Sequence, residues 1–134
     1  MEKSATGRIL KLSLILLPAW LSCGVEPVGP GIPTPAHDIA IRPGAPDLGA
    51  SAFSPNPMVI SLATQNTVTF YNGDLGFYGP GVGVNHYVEA DDGSFESGNV
   101  APNGTYTLTF TAPGVYTYHC EYHEGMTGSV TVNP

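Results

Sequence analysis

From Ser51 to Pro134 the apolar residues recur at every second position and never sustain a helical spacing. The clearest run is Thr105–Thr111, which places Tyr106, Leu108 and Phe110 on one face. Ala112-Pro113-Gly114 then turns the chain, and Val115–Cys120 puts Tyr116, Tyr118 and Cys120 on one face. Val59–Leu62, Thr67–Tyr71, Asn85–Glu89 and Gly128–Val132 read as further strands, with Gly and Pro between them. Roughly six or seven short strands in about eighty residues predict an all-β fold, a two-sheet antiparallel sandwich. Its core is thin, so a bound metal would add to its stability.

The front of the chain has another character. Lys3, Arg8 and Lys11 precede an apolar run, Leu12–Leu21, of signal-peptide length and too short to span a bilayer comfortably. Leu21-Ser22-Cys23-Gly24 resembles a bacterial lipobox, which implies cleavage before Cys23 and a lipid on that cysteine. An ordinary secretory signal is the alternative, and both readings export the protein to the periplasmic face of the cell envelope. Residues 24–50 are dense in Pro and Gly and read as a semi-rigid tether, with a short strand possible around Asp38–Ile41. The expected organisation is therefore a signal peptide over 1–22, a tether over 23–50 and a folded domain over 51–134.

Charge narrows the partners. From Cys23 onward one base, Arg42, faces ten acids, and Ser51–Pro134 holds no Lys or Arg. Nothing there can neutralise phosphates, so nucleic acid is excluded. A protein partner with a basic docking surface is the expectation, because opposite fields speed encounter.

The chain has two cysteines, Cys23 and Cys120. With Cys23 at the signal boundary, Cys120 is a lone exported thiol, which metal ligation would protect. Cys120 ends a strand, His123 follows at i+3 and Met126 at i+6, and such a loop can turn three side chains to one point. His119 should point to the opposite face of its strand, which leaves His86 as the fourth ligand. Two imidazoles, a thiolate and a thioether suit a mononuclear blue copper site. Zinc on Cys and two His is the chemical rival, and it has little use for Met126.

The residues also carry a resemblance. Phe53-Ser54-Pro55, Val68-Thr69-Phe70-Tyr71-Asn72, and Gly114–Cys120 followed by His123, Met126 and Gly128 resemble the cupredoxin (type 1 blue copper) family. The ligand loop is similar to that of the amicyanins. The resemblance implies a Greek-key β-sandwich with one copper cycling between Cu(I) and Cu(II). His86 and His123 would bind through ring nitrogens, Cys120 through sulfur and Met126 axially. It implies a monomeric one-electron carrier between redox proteins, not an enzyme, with the His123 ring edge as the electron exit. A copper-buffering lipoprotein and a part of a copper nitrite reductase-like enzyme are the alternatives; the second needs further histidines for a catalytic copper. Two departures stand out. Tyr87 follows His86 where plastocyanin-like relatives have Asn, which leaves open whether Asn85 ties the ligand loops. Gly73–Val84 is a Gly-rich insertion.

Overall fold

The computed structural model describes residues 34–76 and 83–134. Among these residues, eight strands form two four-stranded sheets: β1 (Ile39–Ile41), β2 (Phe53–Ser54), β3 (Met58–Ser61), β4 (Thr67–Asn72), β5 (Val88–Ala90), β6 (Thr105–Thr109), β7 (Gly114–Cys120) and β8 (Thr127–Asn133). One sheet runs β2-β1-β4-β6 and the other β3-β8-β7-β5. The all-β sandwich is as expected, although its sheets are mixed. β1 runs parallel to β4, and β3 runs parallel to β8. The remaining pairs are antiparallel.

The inward faces follow the alternation in the sequence. Val68 and Phe70 of β4 meet Tyr118 of β7 and Val130 and Val132 of β8 in the core. Phe53, Phe70 and Tyr118 pack edge to face, with Tyr118 4.9 Å from Phe53 and 5.3 Å from Phe70 between ring centres. Such pairs add about 0.5–1.5 kcal/mol each beyond the area they bury.

The folded unit begins earlier than Ser51, which corrects the expected tether boundary. Ile39 and Ile41 are fully buried in β1. Burying two isoleucines is worth about 1.5–3 kcal/mol each, enough to offset an ordering cost of about 1–2 kcal/mol per residue over three residues. Asp38 pins the strand's start, its carboxylate accepting from the Thr69 N–H at 2.7 Å and from Gln65 Nε2 at 2.9 Å. Two short 3₁₀ turns, Ala45–Asp47 and Gly49–Ser51, then carry the chain to β2. The proposed signal peptide, Cys23 and the middle of the Gly73–Val84 insertion lie outside the described residues. The base of that insertion is closed, with the Val84 N–H donating to the Asp74 carbonyl at 3.0 Å.

Candidate metal centre

Cys120 is the last residue of β7, and the loop after it folds back on itself. The Cys120 N–H donates to the Met126 carbonyl at 3.0 Å, His123 N–H to the Cys120 carbonyl at 3.3 Å, and Met126 N–H to the His123 carbonyl at 3.4 Å. Gly125, at φ +86°, supplies the left-handed step that this reversal needs. The result places His123 Nδ1 3.4 Å from Cys120 Sγ. Met126 is fully buried in the same core cluster as Cys120.

His86 reaches the loop from the segment before β5. Its backbone exchanges two hydrogen bonds with Val100, at 3.1 and 2.8 Å. β5 then pairs with β7 so that Val88 stands opposite Cys120. His86 Nδ1 lies 3.7 Å from Cys120 Sγ, and the His86 and His123 ring centres are 4.9 Å apart. One ligand atom from each of His86, Cys120 and His123 thus falls within 4.8 Å of the other two.

The electrostatics suit a metal. Burial holds His86 below the ordinary histidine range; a bond to Asp74 opposes this, and nearby His123 adds to the lowering. A neutral imidazole keeps a free lone pair for a cation. Asp74 is 2% exposed and meets His86 Nε2 at 3.2 Å. No Lys or Arg pairs with this buried carboxylate among the described residues. A cation bound on the far side of His86 would offset that buried negative charge. A sulfur and two imidazole nitrogens in one place form the donor set of a His₂Cys copper plane, so these residues could hold copper.

Residues 46–133 match the family described as copper binding proteins, plastocyanin/azurin family. The chain belongs to this family. Copper is accordingly its cofactor. A chloroplastic plastocyanin of Physcomitrium patens is 36% identical over 104 residues, covering 73% of this chain and 60% of that protein. The chain spans 57–60% of the length of such curated relatives from barley and moss. A purple cupredoxin from Nitrosopumilus maritimus aligns over 73% of this chain and all of its own, at 27% identity and a TM-score of 0.59. A copper-containing nitrite reductase from Thermus scotoductus aligns over 61% of this chain but 20% of its own, at 29% identity and a TM-score of 0.51.

Within the plastocyanin/azurin frame, the open question of what ties the ligand segments has an answer in other residues. Asn85 is exposed. The Tyr87 carbonyl instead accepts from the Glu121 N–H at 3.0 Å, and the Tyr87 and Tyr122 rings meet at 5.6 Å. Asn72, fully buried at the end of β4, does further tying. Its Nδ2 donates to the carbonyls of Val84 at 2.8 Å and Val100 at 2.9 Å, and its Oδ1 accepts from the Asp74 N–H at 3.0 Å. Sequence reasoning missed Asp74, because nothing in its neighbours marks it as buried. Asn72 is visible in the sequence only as the end of the Val68–Asn72 motif.

His119 stands apart from the His86, Cys120 and His123 group. Its Nδ1 lies 2.7 Å from Asp91 and its Nε2 3.6 Å from Glu121. The Asp91 bond, more than any other contact, raises it above the ordinary histidine range. The two carboxylates engage both ring nitrogens.

Proposed function

We propose that this chain is an exported one-electron carrier whose single copper is held by His86, Cys120, His123 and Met126. The carrying observation is the convergence of the ligand atoms of buried His86 and Cys120 and half-buried His123 within 4.8 Å. When bound, copper supplies a one-electron couple. The protein's residues do the rest. Cys120 offers a thiolate, and His86 and His123 offer nitrogens from segments fixed by backbone bonds. A pre-shaped site moves little between oxidation states, which favours fast transfer. His123 is the partly exposed member of the group, and its ring edge is the exit for the electron.

The test is direct. Cu(II) added to metal-free protein gives an intense visible thiolate-to-copper band, and Cys120→Ser abolishes it. A colourless product with Cys120 shown to be reduced would defeat the proposal. Rapid electron self-exchange separates a carrier from a copper-buffering protein, which needs none. A nitrite reductase-like role finds little support, since its catalytic copper would need more histidines and both nitrogens of His119 already face carboxylates.

Export and anchoring rest on the basic start, the Leu12–Leu21 run and Leu21-Ser22-Cys23-Gly24. Cys23→Ser expressed in a bacterial host should move the protein from the membrane to the soluble fraction. Unchanged fractionation would remove the anchor from the reading.

A further inference from the structure

We propose that Asp74 is the positioning residue of the copper centre: it fixes which His86 nitrogen faces the metal and biases the couple toward Cu(II). This inference rests on the copper reading above. Asp74 and His86 are both buried, and Asp74 Oδ2 lies 3.2 Å from His86 Nε2. A carboxylate only accepts, so the proton of a neutral imidazole belongs on Nε2. Nδ1, the nitrogen 3.7 Å from Cys120 Sγ, is then left with its lone pair toward the site.

The carboxylate is itself held. Its Oδ1 accepts from the Gly44 N–H at 2.9 Å. The Asp74 N–H donates to Asn72 Oδ1 at 3.0 Å, and the Asp74 carbonyl accepts from the Val84 N–H at 3.0 Å. These contacts come from the turn after β1, the end of β4 and the segment before His86. Asp74 therefore cannot swing away when the ligand ring moves.

Charge gives the second half of the argument. A buried carboxylate without a cationic side chain is costly unless some positive charge reaches it. The route open to Asp74 is through the His86 ring to the metal. Cu(II) carries one more positive charge than Cu(I), so the attraction favours the oxidised form. A neutral partner at the same place would leave the couple easier to reduce. Carboxylates behind metal-bound imidazoles act in this way generally, by orienting the ring and raising its basicity.

Asp74→Asn tests this with little change of shape: with its amide oxygen on Nε2–H it keeps that bond, removes the charge and gives up the bond to the Gly44 N–H. Midpoint potentials are read by voltammetry on copper-loaded wild type and variant. The expected result is a retained thiolate-to-copper band with the midpoint moved upward, each tenfold loss of Cu(II) preference reading as about 59 mV for a one-electron couple. An unchanged potential in a coloured variant overturns the proposal. Should the variant fail to fold, nitrogen-15 NMR of the metal-free wild type reads the His86 tautomer. A proton on Nε2 supports the proposal and a proton on Nδ1 overturns it. A wild type with no thiolate-to-copper band overturns the copper reading first, and this inference with it.

Discussion

Tyr118 and Gly128 face each other across β7 and β8, and each explains the other. Tyr118 is wedged between Phe53 and Phe70 and fully buried, and burial pushes its hydroxyl well above the ordinary tyrosine range. Its hydroxyl oxygen has no hydrogen-bond partner among the described residues. A Cβ on Gly128 would come within 2.5 Å of that oxygen and of ring carbon Cζ. The ring has no room to retreat, so Gly128→Ala should destabilise by about 1–3 kcal/mol. A Tyr118→Phe background should soften the loss, because it removes one clashing atom and an unpartnered hydroxyl. Urea titration of the two single variants and the double variant checks this. Equal midpoints for Gly128→Ala and wild type would refute it.

At the scale of strands, alternation made most of the fold legible. The long runs in β4, β6, β7 and β8 announce their inward faces because most of the alternate side chains there are apolar. β1 was harder to see: three residues set among prolines and glycines carry little period, and their worth comes from a β4 surface that is distant in sequence. The two parallel pairings left no local mark either, since nothing within β3 says that it will lie beside β8. The candidate site divides in the same way. Cys120, His123 and Met126 sit on one short loop whose spacing is visible, and the structure folds that loop onto itself. His86 was reached by elimination and stands beside it. Asn72 and Asp74 were not legible as parts of a site, because their roles consist of bonds to residues 84, 86, 100 and 44. An isolated acid in a sequence reads as solvated; only three-dimensional burial turns it into a partner for a ligand.

At the scale of the molecule, the described residues carry charge almost wholly of one sign. Arg42 is the single Lys or Arg among the described residues, and it is exposed, with its guanidinium on the Ser51 carbonyl. Glu121 and Glu124 are exposed on the ligand loop beside Tyr122, itself 49% exposed. A basic redox partner approaching His123 would meet those two carboxylates. Glu121→Gln with Glu124→Gln should slow association with a basic cytochrome and flatten its dependence on salt, with the intrinsic transfer step unchanged. Stopped-flow rates at low and high ionic strength measure both quantities. Identical rates in variant and parent would place docking on another face.

The parallel pairing of β3 with β8 also bears on when the centre can exist. Met58 has no ladder partner until Val130 is available, and the ligand loop lies between β7 and β8. Closing so long a stretch of chain carries an entropic toll that local contacts do not repay, and folds dominated by such pairings assemble slowly. Three of the four proposed ligands are neighbours in sequence, so only His86 has to wait, and it waits for β5 to reach β7. A complete ligand set is therefore expected only once β5 has paired with β7, which places tight metal binding late in folding.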